Sequence, residues 1–375
     1  MTESGLQMSR RIRRTPFTDK AESHGVSGFT VVNHTLLPKG YKKTVEEDYW
    51  HLREHVQIWD VACQRQVEIV GADASRLVQM LTPRDLRKLR VGQCYYVPII
   101  DDNAGMINDP VLLKLDDTKF WLSIADSDVL LWARGLAVGL GLDVYILEPD
   151  VSPLAVQGPK AETLISDIFG EQILDIPFFG FKIIPIFGTD QVIARSGYSK
   201  QGGFEIYMRG SHFGNELWDL IWNAGQSYNI SPGSPNLIER VEGGLMSYGN
   251  EFNRDNNPLE CGFEHLCCLA DQINYVGKDA LKKISKNGPV RRICGIKFEG
   301  PETGACTVPY KVFSKSSKLI GEITSAIYSP RLKTNVGLGM LGSNFTDIGS
   351  SVLVSTYPGQ YLNGVVSKIP FEEQL

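Results

Sequence analysis

A glycine-rich loop leads into a β-strand in the stretch Gly197-Tyr198-Ser199-Lys200-Gln201-Gly202-Gly203-Phe204-Glu205-Ile206-Tyr207. Successive side chains of a strand point to opposite faces, so Glu205 and Tyr207 share one face and Phe204 and Ile206 share the other. The apolar face predicts burial in a core. The polar face predicts a carboxylate and a phenol beside a cavity.

Two further segments place polar groups where a plain core would not need them. A turn leads into a predicted strand in the segment Gly105-Met106-Ile107-Asn108-Asp109-Pro110-Val111. Asp109 lies at the start of this strand. In Arg240-Val241-Glu242-Gly243-Gly244-Leu245-Met246-Ser247-Tyr248-Gly249-Asn250 small residues within a predicted helix let another element approach closely. Simpler interpretations remain open: Asp109 caps a turn, Glu205 and Arg240 form a buried ion pair, and the glycines serve packing alone.

Apolar periodicity indicates the fold class. A helical period predicts helices at residues 45–56, 74–81, 128–140, 161–168, 214–228 and 237–248. Short β-rich runs predict strands at residues 66–70, 95–100, 111–115, 120–125, 144–147, 191–195 and 204–208. Helices and strands alternate irregularly, and Asp116-Asp117 resembles a hairpin turn. This pattern favours an α+β arrangement over a doubly wound parallel sheet.

The sequence pattern changes after Asn287-Gly288-Pro289. Short β-rich runs with many Gly and Ser replace the helical patterns there. We therefore predict a domain boundary near residue 288 and a small all-β module behind it.

Composition excludes several classes of partner. The formal net charge is -5 and the pI is about 5.8, whereas nucleic acids and anionic membranes select basic faces. No stretch approaches the roughly 20 apolar residues of a membrane helix. The seven cysteines form no C-x-x-C pair, so we expect reduced thiols in a cytoplasmic protein. The arginines at positions 10, 11, 13 and 14 predict a solvated arm.

The segment His51-Leu52-Arg53-Glu54-His55 matches H-x-x-E-H, a pattern of inverted zinc peptidases. Tyr49, Leu52 and Val56 form the apolar stripe of the same predicted helix, so the histidines lie toward its flank. The other histidines belong to no second ligand motif. We therefore expect no metal. Rossmann, P-loop and G-x-S-x-G patterns are also missing from the sequence.

The three polar segments, taken in order, resemble the aminomethyltransferase family of the glycine-cleavage T protein. Pro258-Leu259-Glu260, Leu154-Ala155-Val156-Gln157-Gly158-Pro159-Lys160 and Gly321-Glu322-Ile323-Thr324-Ser325 are similar to further family stretches. The resemblance implies a three-domain ring with a central tetrahydrofolate channel. It implies that residues 1–287 form a folate-binding catalytic region of two interleaved α+β domains, and residues 288–375 a C-terminal β-barrel domain.

The resemblance also implies roles for single residues. Glu205 matches the glutamate that binds the pterin edge, and Asp109 matches the aspartate near the reactive nitrogens of the folate. Phe178 or Phe179 is expected to face the aminobenzoyl ring. The remaining positions expected to line the folate are Tyr96, Ser123, Tyr198, Arg240 and Tyr248.

Within the family, other stretches look like the branch of bacterial dimethylsulfoniopropionate demethylases. They are Arg14-Thr15-Pro16-Phe17, Tyr49-Trp50-His51-Leu52, Thr82-Pro83-Arg84-Asp85-Leu86 and Asn108-Asp109-Pro110-Val111. Ala125 and Asn108 replace residues usual in the glycine-cleavage proteins, which would weaken handling of a lipoyl-bound aminomethyl group. Tyr198 stands where the demethylase branch often has tryptophan.

This likeness implies methyl transfer from a sulfonium zwitterion to N5 of tetrahydrofolate, with Asp109 and Tyr207 as catalytic residues. Trp121 and Tyr207 are candidates for contact with the sulfonium, although Trp121 fits a core position equally well. Arg65 and Lys200 are candidates for the substrate carboxylate. A methylated amine such as dimethylglycine is an alternative donor, and a non-catalytic folate-binding relative is an alternative function. The sequence leaves the oligomeric state open, a homodimer included.

Overall fold

The computed structural model describes residues 8–372, which divide into two compact units. The first unit comprises the described residues up to Ser75 together with Leu89–Tyr96 and Pro110–Asn236. The second unit comprises Arg76–Lys88, Val97–Asp109 and the described residues from Leu237 onward. The division into residues 1–287 and 288–375 stays a prediction.

Both helices and strands are distributed along the chain. The α-helices are α1 (Thr18–Ser23), α2 (Val45–Glu54), α3 (Ala74–Leu81), α4 (Val129–Leu140), α5 (Ala161–Phe169), α6 (Gly214–Gly225), α7 (Leu237–Glu242) and α8 (Lys278–Asn287). The strands before residue 150 are β1 (Gly28–Val32), β2 (Thr35–Gly40), β3 (Val56–Asp60), β4 (Gln66–Val70), β5 (Cys94–Tyr96), β6 (Ile99–Ile100), β7 (Met106–Asn108), β8 (Val111–Asp116), β9 (Lys119–Ser123) and β10 (Tyr145–Leu147). The later strands are β11 (Val151–Gln157), β12 (Phe181–Ile186), β13 (Thr189–Ala194), β14 (Gly203–Arg209), β15 (Ile230–Gly233), β16 (Arg291–Phe298), β17 (Tyr310–Ser314), β18 (Leu319–Ser329), β19 (Thr334–Gly342), β20 (Ser351–Ser355) and β21 (Leu362–Ser367).

Two sheets dominate the first unit. A five-stranded sheet has the order β10-β4-β9-β8-β5, and a six-stranded sheet has the order β12-β13-β14-β11-β3-β15. One face of the six-stranded sheet packs with α5 and α6 around Phe204, Ile206 and Trp218. The other face shares a core with the five-stranded sheet through residues such as Tyr207 and Trp121. The strand β14 therefore lies between two buried layers.

A closed barrel dominates the second unit. Its strands follow the order β16-β19-β18-β17-β20-β21, and β21 pairs back with β16. Closure leaves no sheet edge unpaired, which suits a module of short strands. The all-β module predicted behind residue 288 thus begins with β16 at Arg291.

Several predicted elements are confirmed with small changes at their ends. Helix α3 and strand β4 have the predicted bounds, and β8 and β9 form the hairpin predicted around Asp116-Asp117. The single strand predicted at residues 95–100 is wrong, because β5 and β6 belong to different sheets. Pro98, which separates them, has no N–H to donate to a ladder.

The helix predicted at residues 237–248 is also wrong, because α7 ends at Glu242. Gly244 has φ +65°, a left-handed conformation that ends a helix. A Cβ at Gly244 would lie 3.1 Å from Ile369, and Phe371 N donates to Glu242 O at 2.8 Å. Gly244 therefore lets the C-terminal segment approach closely, as the sequence predicted.

Candidate functional site

The alternation of β14 places its side chains as predicted. Phe204 and Ile206 are buried against α5 and α6, whereas Tyr207 lies in the core between the two sheets. Tyr207 Oη lies 3.5 Å from Glu205 Oε2, so the two polar side chains are on one face. Glu205 and Tyr207 are 4% and 0% exposed.

The neighbours of Glu205 across the sheet are small. Ala155 of β11 and Ala194 of β13 stand directly opposite Glu205 on either side. Directly opposed residues of antiparallel strands share a face, so two methyl groups flank the carboxylate.

The environment of Glu205 is unusual for a carboxylate. Ser196 Oγ donates to Glu205 Oε2 at 2.5 Å, and Tyr207 Oη donates to the same oxygen at 3.5 Å. Within residues 8–372, no Lys, Arg or His forms an ion pair with Glu205. Burial raises the pKa of Glu205 above its ordinary value, and the hydrogen bonds from Ser196 and Tyr207 oppose that rise. The site therefore has an unneutralised acceptor that a ligand with N–H donors would satisfy.

Three neutral groups complete the buried cluster. Burial, followed by the nearby Glu205, raises the pKa of Tyr207 and that of the Cys94 thiol. Gln66 Nε2 donates to Ser123 Oγ at 2.9 Å, which fixes the hydroxyl that approaches Tyr207. Both the phenol and the thiol are thus neutral near pH 7, so neither gives Glu205 a charged partner.

The loop before β14 is held by Gln157, which the sequence analysis quoted only as part of a family stretch. Gln157 Nε2 donates to Ser196 O at 3.2 Å, and Ser199 Oγ donates to Gln157 Oε1 at 2.8 Å. Gly203 has φ +136°, and a Cβ there would lie 2.2 Å from Val156 O. Glycine is therefore required at position 203 for this close approach.

A cavity of about 410 Å³ lies along this loop. Gln157, Ser196 and Gly203 contribute to its wall, and so do Phe178 and Lys200. Phe178 is 75% exposed and contacts Phe179 edge to face at 4.8 Å between ring centroids. Tyr198, on the same loop, is half-buried. The predicted roles of Phe178 and Tyr198 toward a folate stay predictions.

The candidates for the methyl donor are already engaged with protein groups. Trp121 is 1% exposed, its Nε1 donates to Glu68 at 2.7 Å, and Arg209 Cζ lies 4.9 Å from its ring. Arg65 pairs with Glu148, which also pairs with Arg13. These contacts support the interpretation of Trp121 as a core residue, and they support a structural role for Arg65. Their roles toward a donor stay predictions, as does that of the exposed Lys200.

In the second unit, Arg240 organises a separate polar network. Arg240 Nη1 pairs with Glu251 at 3.0 Å, and Nη2 donates to Ser325 Oγ of β18 at 2.5 Å. A bulge between Ile323 and Ser325 aims this serine. Tyr248 is half-buried and contacts Phe252 edge to face. The guanidinium thus has a carboxylate partner within its own unit.

Asp109 follows β7 in the second unit, and Tyr96 lies on β5 in the first. Asp109 is half-buried, and its backbone N donates to Asn108 Oδ1 at 3.0 Å. Burial, Glu260 and Asp109 raise the pKa of Cys261, so Asp109 lies near that thiol. Tyr96 is half-buried opposite Val111.

Each histidine of the H-x-x-E-H segment contacts another group of the protein. His51 Nε2 contacts Asn229 O at 2.9 Å, and His55 Nδ1 contacts Lys160 Nζ at 2.9 Å. Burial and the neighbouring Lys43 and His55 lower the pKa of His51 to about 4. Over residues 8–372, no three His, Cys, Asp or Glu side chains come together as a metal site.

Two family models match the chain, one after the other. The model of the GCVT N-terminal domain matches residues 17–271, and that of the glycine cleavage T-protein C-terminal barrel domain matches residues 291–372. The chain belongs to the glycine cleavage T-protein family. The resemblance inferred from the motifs is thereby confirmed.

Relatives within the T-protein family include two kinds of enzyme. The chain is 47% identical to the dimethylsulfoniopropionate demethylase DmdA of Ruegeria pomeroyi, over 94% of this chain and 95% of that protein. It is 31% identical to the aminomethyltransferase of Thermoanaerobacter pseudethanolicus, over 84% of this chain and 86% of that protein. The prediction that the chain is an enzyme of this family is confirmed.

A solved structure of the T-protein family shows the same fold. The glycine cleavage system aminomethyltransferase T of Bartonella henselae matches with a TM-score of 0.86 at 22% identity, covering 97% of this chain and 99% of that one. The predicted fold class, α+β with a C-terminal barrel, is confirmed. Among residues 8–372 of the present chain, no helix has the length and apolar character needed to cross a membrane.

Proposed function

We propose that the chain transfers a methyl group from dimethylsulfoniopropionate to N5 of tetrahydrofolate, giving methylmercaptopropionate and 5-methyltetrahydrofolate. The observation that carries the proposal is the 47% identity to a dimethylsulfoniopropionate demethylase over 94% of the chain. Identity to the aminomethyltransferase described above is lower, at 31% over 84% of the chain.

The surroundings of Glu205 support tetrahydrofolate as the co-substrate. A carboxylate is an acceptor only, and the pterin offers its 2-amino and ring N–H groups as parallel donors. Glu205 is buried without a cationic partner among the described residues, so such donors would offset its desolvation. The neighbours of Glu205 across the sheet, Ala155 and Ala194, carry no polar group that would compete with such donors.

The proposed reaction is a direct displacement. A bond forms between folate N5 and the methyl carbon while the bond from that carbon to sulfur breaks, and its electron pair stays on sulfur. The sulfonium leaves as a neutral thioether, so it needs no acid. N5 then loses its proton. The role proposed for Asp109 is to accept this proton, to relay it, or to orient the folate. Alignment of the reactants can supply roughly 7–11 kcal/mol of the barrier.

Several finer points belong to the same proposal. The displacement requires no Lewis acid, so we propose a metal-free reaction. We also propose a cytoplasmic location, where the free thiols of the seven cysteines would stay reduced. Tyr207 is the candidate that contacts both reactants, and the assembly state is left open, a homodimer included.

We predict that purified protein incubated with tetrahydrofolate and dimethylsulfoniopropionate forms 5-methyltetrahydrofolate, because a methyl group moves without oxidation. The folate product is read by chromatography, with dimethylglycine and a lipoylated aminomethyl carrier as parallel donors. Methylated folate from dimethylglycine alone would assign the chain to a methylated amine. Formation of methylenetetrahydrofolate and ammonia from the lipoylated carrier would show that the chain catalyses the glycine-cleavage reaction instead. Folate binding without product from any donor would indicate a non-catalytic relative.

A further inference from the structure

The two oxygens of Glu205 are treated differently by the protein. Ser196 Oγ, at 2.5 Å, and Tyr207 Oη, at 3.5 Å, both donate to Oε2. No residue within 8–372 donates a hydrogen bond to Oε1. Ser196 is itself only 3% exposed, and its carbonyl accepts from Gln157 Nε2 at 3.2 Å. The shorter of the two bonds therefore comes from a side chain whose own backbone is fixed.

We propose that Ser196 is a positioning residue that holds Glu205 in its charged form and leaves Oε1 directed at the folate. The proposal rests on the proposed function, since folate is the ligand that Glu205 would bind. Ser196 would not touch the reacting atoms. It acts by stabilising the negative charge of the carboxylate through a hydrogen bond to Oε2, the oxygen that the folate does not use.

The groups around Glu205 make Ser196 the main internal support of that charge. On its own strand lies Tyr207, on β5 lies Cys94, and both have raised pKa values and stay neutral. The neighbouring strands β11 and β13 contribute Ala155 and Ala194, which carry no polar group. Ser123 of β9 approaches Tyr207 rather than the carboxylate. The described residues thus give Glu205 a close hydroxyl and a distant one.

The direction of the pH effect follows from which form Ser196 stabilises. A hydroxyl donates to the carboxylate but gains little from the protonated acid, so its bond lowers the pKa of Glu205. Without Ser196, burial acts with less opposition and the pKa rises further. Folate binding that needs the charged form would then be lost at a higher pH and regained as the pH increases.

The test is the folate dissociation constant of wild type and Ser196→Ala between about pH 5.5 and pH 9. We expect the midpoint of the pH dependence to move upward by roughly one unit, with binding about tenfold weaker at the acidic end and close to wild type at the alkaline end. Ser196→Thr keeps a hydroxyl and should restore the wild-type midpoint.

The chain offers a matched control in the barrel. Ser329 Oγ donates to the buried Glu242 Oε1, which is the same kind of bond. Ser329→Ala should leave the pH midpoint of folate binding unchanged, even where it lowers the unfolding temperature. If Ser196→Ala does not fold, Ser196→Cys gives the same comparison, because a thiol is a weak donor of similar size.

An equal loss of affinity at every pH in the Ser196 variants, or an unchanged profile, would overturn the positioning role while leaving folate binding intact. Failure of the wild-type protein to bind tetrahydrofolate would instead contradict the proposed function, and this inference with it.

Discussion

Glu205→Gln is expected to weaken tetrahydrofolate binding by about ten- to a hundredfold, which corresponds to roughly 1.5–3 kcal/mol for a hydrogen bond to a charged group. The amide keeps the shape of the side chain but loses the negative charge and replaces one acceptor oxygen with a donor. Isothermal titration at pH 7.5 measures the change. Unaltered folate affinity in a folded variant would show that Glu205 is not the pterin acceptor.

The same substitution is expected to preserve or increase stability. Burial raises the folded-state pKa of Glu205 above its unfolded value. A group shifted in this direction stabilises the fold below the unfolded pKa, and that contribution is lost as the pH rises through the folded pKa. The glutamine variant lacks the ionisable group and therefore this pH dependence. The unfolding free energy of the variant, relative to that of wild type, should thus increase as the pH rises. Glu68→Gln, which changes a glutamate on β4, serves as the control with unchanged folate affinity.

Tyr207→Ala is expected to lower the unfolding free energy by about 3–5 kcal/mol, since it removes a fully buried aromatic ring and leaves a cavity. Tyr207→Phe keeps the ring, which lies 6.2 Å from that of Trp121, and deletes the hydroxyl that donates to Glu205. We expect the Phe variant to fold like wild type and to bind folate a few-fold more weakly. Thermal unfolding and folate titration of both variants separate packing from ligand contact.

Tyr41→Phe is the control for loss of a buried phenol hydroxyl. Tyr41 is 8% exposed, and its hydroxyl has no hydrogen-bond partner within residues 8–372. Removal of the Tyr41 hydroxyl should change the unfolding free energy by no more than about 1 kcal/mol and should leave folate binding unchanged.

Wild-type folate affinity and turnover in a folded Tyr207→Phe variant would exclude a role for the Tyr207 hydroxyl. A Phe variant that loses donor affinity but keeps folate affinity would place the hydroxyl at the donor.

Local periodicity was enough to predict the framework of the site. The alternation of β14 depends on the backbone of one strand, so the shared face of Glu205 and Tyr207 could be inferred from seven consecutive residues. Helix α3 and strand β4 were predictable for the same reason. The order of the motifs indicated the family, and with it the C-terminal barrel that no single segment specifies.

The tertiary structure decided which side chains come to lie beside Glu205. Ser196 and Glu205 lie nine positions apart, and a loop with left-handed glycines brings the hydroxyl to one oxygen of the carboxylate. Ala155 is opposite Glu205 only because β11 pairs with β14 in one register. Sequence alone cannot supply a register between distant strands, since it depends on packing of the whole sheet.

Contacts between distant segments also surround one predicted element that proved wrong and one candidate site residue. Helix α7 ends early, before the left-handed Gly244, and the C-terminal segment packs beside this glycine in a contact between residues more than a hundred positions apart. The role of Arg65 toward the substrate carboxylate stays a prediction, and the fold brings Glu148 to this arginine across 83 positions. The sequence by itself indicated which side chains are candidates to carry the chemistry, and it determined the faces of β14 that Glu205 and Tyr207 share. The tertiary structure decided which of them are already neutralised by a partner, because ion pairs and strand registers form between segments that only folding brings together.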